Sequence, residues 1–234
     1  MKFPLPDFLK EVNSPEDGEK ILHEKFPEKI LIGIDEVGRG PLAGPVVAGA
    51  VVLKKNITLP GLNDSKKLTP KKRESLIESV KAACECYAIA GASAEEIDTH
   101  NILAATFLAM RRALGALGFG TNENDSGMVF EVQGRLPAQA EVLIAVDGNL
   151  KISHLPAEIQ LPVVQGDSRI ASISAASVLA KVFRDRLMAD YAKEYSGYGF
   201  EKNAGYGTKL HLDGIREKGL SPIHRKSFKP KSLG

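Results

Sequence analysis

The segment Ile30-Leu31-Ile32-Gly33-Ile34-Asp35-Glu36-Val37-Gly38-Arg39-Gly40-Pro41-Leu42-Ala43-Gly44-Pro45 decides how the rest of the chain is read. It starts as an apolar run, stops on two adjacent carboxylates and crosses a turn carrying three glycines and two prolines. A second apolar run, Val46 to Leu53, follows. Two short apolar runs around a Gly/Pro break predict a β-hairpin or a pair of neighbouring strands. Carboxylates at the end of a buried strand are costly unless their charge is compensated, and a metal ion is the usual compensator.

The same design, an apolar strand ending in an acid beside a glycine, recurs in Val146-Asp147-Gly148 and in Val164-Gln165-Gly166-Asp167. Strand ends of an α/β sheet converge on a common edge where ligands bind. Asp35, Glu36, Asp147 and Asp167 are therefore the candidate metal-binding and catalytic set. Carboxylate oxygens suit Mg²⁺ or Mn²⁺, and no His or Cys cluster offers a zinc alternative. A single strand-end Asp is commonly a turn or cap residue; three such segments in one chain favour the metal. Asp35 and Glu36 are neighbours, so a regular strand points them to opposite faces. They share a site only if the strand ends or twists there, which Gly38 permits. Asp185 lies about 27 Å from Asp167 along an unbroken helix, and both cannot serve one centre. Asp185, flanked by Arg184 and Arg186, is assigned to a surface ion pair.

Around these segments the chain reads as helices alternating with strands, an α/β domain with a mixed five-stranded sheet. Residues 1–29 hold charges, prolines and a weak helical pattern, and are read as an N-terminal extension without its own core. Thr69 caps a helix whose inward face is Leu76, Ile77 and Val80. Cys86 to Ala90 is a third strand; Ser93 with Glu96 makes a capping box, and Asn101 caps a longer helix stopped by Gly118. Met128 to Gln139 is ambiguous, with a hairpin insertion as one reading. The longest helix spans about Ser168 to Tyr195, and its first half is built of small residues that let it lie close to a sheet. A catalytic domain of 30–197 and a C-terminal substrate-binding helical segment of 198–234, with a helix from Thr208 to Gly219, complete the division.

The net charge of +2 hides an asymmetry: the chain from Lys202 onward carries +6, and Lys54 to Lys81 carries +5. Basic patches beside carboxylates suggest a polyanion held near the site, although a charge cluster is also the ordinary solvated surface. No apolar run approaches the roughly 20 residues of a membrane span, and the first six residues lack the apolar core of a secretory signal. The expected location is the cytoplasm. Cys84 and Cys86 have neither disulfide nor zinc spacing and are read as reduced, partly buried residues. Gly38-Arg39-Gly40 sets backbone amides and a guanidinium beside the acids, where Arg39 can pair with a phosphate. Ser65, Lys66 and Lys67 precede a helix N-terminus, a natural phosphate-contact position. Tyr206, between two glycines, either stacks on a sugar or base or packs within its loop. His211, His224 and Arg225 are assigned to surface or phosphate contacts.

In these motifs the sequence resembles ribonuclease HII, the type 2 ribonuclease H, and most of all its bacterial form. The resemblance rests on Ile34 to Pro45, Asp64 to Leu68, Val146 to Asn149, Gly166-Asp167-Ser168, Ser174 to Asp185, Gly205 to His211 and Pro222 to Phe228, covering about residues 30–228. It implies a ribonuclease H-like fold with a C-terminal helical segment over the active site. It also implies cleavage of RNA in RNA–DNA hybrids and incision 5′ of ribonucleotides embedded in duplex DNA, as in ribonucleotide excision repair. By the same resemblance Asp35, Glu36, Asp147 and Asp167 bind two Mn²⁺ or Mg²⁺ ions, and the products carry a 5′-phosphate and a 3′-hydroxyl. Gly38, Arg39 and Gly40 read the ribose 2′-hydroxyl, Tyr206 packs on the deoxyribose at the RNA–DNA junction, and Ser65 and Lys66 contact phosphates. The expected protein is a monomer that binds nucleic acid and no membrane; a protein partner is not specified. Two readings of other classes compete: a non-catalytic hybrid-binding module, and a Mg²⁺-dependent phosphohydrolase of small nucleotides. The intact set of four acids argues against the first. The absence of a Gly-x-x-x-x-Gly-Lys-Ser/Thr loop argues against the second.

Overall fold

Eight consecutive residues, Ile30–Val37, form strand β1, and their apolar character places them at the interior of the sheet. The computed structural model describes residues 3–55, 57–59, 61–62, 69–120, 125 and 127–229. β2 (Val46–Leu53) pairs antiparallel with β1 and is buried along its whole length. β3 (Cys84–Ala92) pairs antiparallel with β2, and β5 (Val142–Asp147) runs parallel to β1 on the other side. β6 (Gln160–Val163) closes that edge, parallel to β5. The opposite edge is β4 (Val129–Gln133), antiparallel to β3, giving the order β4-β3-β2-β1-β5-β6. The mixed sheet thus has six strands rather than the expected five. The additional one lies in the ambiguous stretch after Met128: it is no hairpin insertion but a single half-exposed edge strand, whose weak apolar pattern follows from having only one neighbour.

Helices cover both faces of the sheet. α2 (Pro70–Ala83) and α5 (Ala171–Glu194) bury one face; α3 (Ala94–His100) and α4 (Ile102–Ala116) bury the other. The predicted caps are in place: Thr69 accepts from the Lys72 amide, Ser93 and Glu96 form a capping box, and Asn101 accepts from the Leu103 and Ala104 amides. α5 lies very close to the sheet. A Cβ on Gly33 of β1 would come within 2.2 Å of the Ser172 carbonyl carbon, and one on Gly49 of β2 within 2.6 Å of the Ala176 oxygen. Glycine on the strands and Ala/Ser on the helix together permit this spacing.

The N-terminal segment, with helix α1 (Pro15–Lys25), contributes Leu9 and Leu22 to a cluster with Leu31, Leu143, Val163, Ile170 and Ile173. It also caps the N-terminus of α5, whose Ile170 N-cap has no capping side chain of its own. The buried Glu19 carboxylate of α1 accepts from the Ser172 amide (3.0 Å) and hydroxyl (2.9 Å). After α5 the chain forms α6 (Phe200–Asn203) and α7 (Lys209–Lys218), with Thr208 capping α7 as expected. Met188, Tyr198, Phe200, Ile215 and Ala43 form a separate small core that joins this end of the chain to the glycine turn. Among the described residues no helix is long and apolar enough to cross a membrane.

Candidate active site

The strand register brings the acids to one edge. Ile34 pairs with Val146 across β1 and β5, leaving Asp35 and Asp147 one step further along parallel strands. Asp147 in turn pairs with Val163 of β6, and the chain then turns through Gly166–Ser168, a short 3₁₀ turn carrying the buried Asp167. The Asp147 carboxylate accepts from the Gly166 amide at 2.7 Å, tying the third acid to the turn that bears the fourth, Asp167. Asp35 is buried against α5, where Ser177 donates to it, and its Oδ1 also accepts from the Glu36 amide at 2.7 Å. Burial, and then the neighbouring charges of Asp147, Glu36 and Asp167, hold the Asp35 carboxyl well above the usual carboxylate range; the Ser177 hydrogen bond acts in the opposite sense.

These acids do not close into a ligand cage. Among the described residues no group of three or more His, Cys, Asp or Glu side chains is placed to hold a metal ion. The donor set nevertheless fits a hard divalent cation. All four groups are carboxylates, and the burial and neighbouring negative charges that lift Asp35 are what a cation compensates.

Asp35 and Glu36 line one groove with Val37, Gly38-Arg39-Gly40, Arg73, Ser177, Lys181 and Tyr206. Gly38 makes this possible. Its φ of +92° turns the chain out of β1, and a Cβ there would lie 2.3 Å from Arg184 Nε. Glu36 reaches back along the turn to Arg39 (Oε1 to Nη1, 3.3 Å).

Two buried arginines hold the turn from behind. Arg184 of α5 donates to the Pro45, Ala43 and Ala204 carbonyls, and Arg225 donates to those of Gly38, Arg39 and Gly44. Burial pulls the Arg225 guanidinium down to about 9, with the Arg184 charge adding to the effect, so it stays charged at neutral pH. Because a peptide group is planar and trans, carbonyls of Gly38 and Arg39 aimed at Arg225 turn the amides of Arg39 and Gly40 away from that guanidinium.

The sequence reading of the C-terminal residues needs correction. His211, His224 and Arg225 are not surface or phosphate contacts; they are 0%, 2% and 1% exposed. The sequence shows their charge and hydrogen-bonding capacity but not that the small core of Tyr198 and Phe200 encloses the two imidazoles. Tyr206, by contrast, is 44% exposed and faces the groove beside Gly40.

Asp35, Glu36, Gly38, Arg39, Gly40 and Tyr206 meet in the groove, and Asp147 and Asp167 stand on the neighbouring strand ends. Ser65 and Lys66 lie outside the described residues. Asp185 pairs with Lys181 (2.6 Å) and lies 3.9 Å from Arg73, not with its flanking arginines. Arg184 turns inward instead, and Arg186 pairs with Glu74. Arg73 and Lys181 line the groove as well, beyond the residues that the sequence motifs point to. Their spacing on α2 and α5 carries no signal until the two helices pack together on one face of the sheet.

Comparison with known proteins identifies relatives over most of the chain. The ribonuclease HII family model matches residues 32–231. Ribonuclease HII of Ruegeria sp. (strain TM1040) is 50% identical over 202 residues, spanning 86% of this chain and 78% of that protein. Among solved structures, ribonuclease H2 from Pyrococcus horikoshii OT3 superposes with a TM-score of 0.62 at 25% identity, covering 85% of this chain and 93% of that one. Bst-RNase HIII in complex with Mn²⁺ superposes with a TM-score of 0.65 at 18% identity, covering 86% of this chain and 67% of that one, and shows the shared fold.

Proposed function

Because the chain belongs to the ribonuclease HII family and is thereby a ribonuclease H endonuclease, we propose that it cleaves the RNA strand of RNA–DNA hybrids and incises 5′ of single ribonucleotides in duplex DNA. The observation that carries this reading is the continuity of acids and glycine turn: Asp35 and Glu36 share a groove with Gly38-Arg39-Gly40 and Tyr206. A 2′-hydroxyl can both donate and accept, and it is the group that distinguishes RNA from DNA. The amides of Arg39 and Gly40, whose residues line the groove and whose N–H groups point away from Arg225, would supply donors for it. Arg39, Arg73 and Lys181 supply positive charge for the flanking phosphates. Tyr206 offers its exposed ring to the sugar on the DNA side of the junction.

Asp35, Glu36, Asp147 and Asp167 would hold Mg²⁺ or Mn²⁺, as two ions during catalysis. Bound there, the ions supply Lewis-acid activation of water and charge stabilisation of the leaving oxygen, leaving 5′-phosphate and 3′-hydroxyl ends. Manganese is supported by the metal named for Bst-RNase HIII. The chain's own part is to fix the acids. Ser177 orients Asp35, and the Gly166 amide orients Asp147. Ser65 and Lys66 are proposed as further phosphate contacts on the family resemblance. Residues 30–197 are assigned as the catalytic unit and 198–234 as the segment that presents Tyr206.

The test uses a duplex DNA with one embedded ribonucleotide, incubated with Mg²⁺ or Mn²⁺. Incision 5′ of the ribonucleotide is expected, with the rate lowered by about 10³-fold or more in Asp147→Asn. No incision by the unmodified protein, or full activity in the variant, would refute the assignment.

A further inference from the structure

Behind Tyr206 lies a chain of buried hydrogen bonds that the reaction as described does not use. The Tyr206 carbonyl lies 2.9 Å from His211 Nδ1. His211 Nε2 lies 3.0 Å from His224 Nε2, and His224 Nδ1 lies 2.9 Å from the Ser221 amide. The two ends of this chain settle the protons between them. A carbonyl can only accept, so His211 carries its hydrogen on Nδ1 and accepts at Nε2. A backbone amide can only donate, so His224 accepts at Nδ1 and donates from Nε2 to His211. The network closes only with both rings neutral and in opposite tautomers. Burial pulls both imidazoles down, His224 to about 4, consistent with neutral rings at physiological pH.

His224 precedes Arg225, whose guanidinium holds the carbonyls of Gly38 and Arg39. One short segment of chain therefore fixes both walls of the groove: Arg225 sets the glycine turn, and His224, acting through His211, sets the tyrosine. A backbone bond from Leu42 N to Gly205 O (2.8 Å) ties the two walls directly. We infer that His211 is a positioning residue, which, locked in its tautomer by His224, holds Tyr206 at the distance from Gly38-Arg39-Gly40 that an RNA–DNA junction requires. This rests on the reading of Tyr206 as a junction contact. It adds to that reading the pair of residues that sets preference between a single embedded ribonucleotide and a continuous hybrid.

The test separates the two bonds of His211. His211→Asn places an amide nitrogen where Nδ1 stood and keeps the bond to Tyr206. His211→Gln places its amide where Nε2 stood and keeps only the bond to His224. For each variant kcat/KM is measured on a duplex with one ribonucleotide and on a uniform hybrid, and the ratio of the two is taken within one preparation, so the folded fraction cancels. Tyr206→Ala is expected to lower the ratio by about tenfold or more, and His211→Gln to approach it. His211→Asn should stay within about threefold of the unmodified protein, and Tyr206→Ala combined with His211→Gln should match Tyr206→Ala alone. If both His211 variants scale the two rates together, His211 is only structural and the inference fails while the reading of Tyr206 stands. If Tyr206→Ala itself leaves the ratio unchanged, the junction reading fails first, and the inference with it.

Discussion

Arg225 shows how far a single residue can depart from its sequence reading. In a basic C-terminal stretch it reads as a surface or phosphate contact; in the fold it is buried and makes four hydrogen bonds to three backbone carbonyls. Those carbonyls have no water to turn to when the guanidinium is removed, and each buried unsatisfied acceptor costs about 1–3 kcal/mol. Arg225→Met is accordingly expected to lose about 3 kcal/mol or more in urea unfolding and to lower incision as the glycine turn loosens. An unchanged midpoint would contradict the clamp. The carboxylates behave differently at this scale. Asp35, Glu36, Asp147 and Asp167 stand out in sequence because three apolar runs each end in an acid beside a glycine, a recurrence that one strand-end acid, commonly a turn or cap residue, does not supply. Arg73 and Lys181 do not stand out, because a lysine or arginine on a helix is unremarkable until a second helix brings it to the groove.

Among the elements, α5 against β1 and β2 governs the site, since Ser177, Lys181 and Arg184 all project from it. Its approach depends on Gly33 and Gly49, which leave no room for a side chain. Gly33→Ala would drive a methyl group into the Ser172 backbone, which cannot move as a flexible side chain can. Overpacking of this kind costs about 1–3 kcal/mol, and more where backbone must shift. The expected result is a fall in thermal stability at the upper end of that range, with a larger fall in activity because Ser177 moves with the helix; native stability and rate in Gly33→Ala would sink this account. The small-residue run on α5 and the helix caps were readable from sequence, since small side chains and local caps act within a few residues. The edge strand β4 was not: its half-exposed pattern acquires meaning only beside β3.

For the whole molecule, the N-terminal segment is joined to the end that carries the chemistry through Glu19, which caps α5 across 153 residues of sequence. Burial raises the Glu19 carboxyl from an ordinary 4.5 to about 7, offset in part by the Ser172 bonds. A raised carboxyl makes the folded state bind its proton more tightly than the unfolded chain does. Its contribution to stability is therefore fully present below about pH 4.5 and is lost as pH rises through about 7. At about 1.4 kcal/mol per pH unit the loss amounts to about 3 kcal/mol. Glu19→Gln, which retains an acceptor for Ser172, is expected to melt above the unmodified protein at pH 8 and near it at pH 4; identical melting curves at pH 8 would refute it. Sequence alone determined the strand-end acids, the glycine turn, the caps and the alternation of helices and strands, because each is written in local composition and spacing. Tertiary structure alone decided that Arg184, His211, His224 and Arg225 are buried supports of the groove, that Arg73 and Lys181 line it, and that an N-terminal glutamate caps α5. Burial and long-range hydrogen bonding depend on which surfaces meet, and no window of sequence contains that.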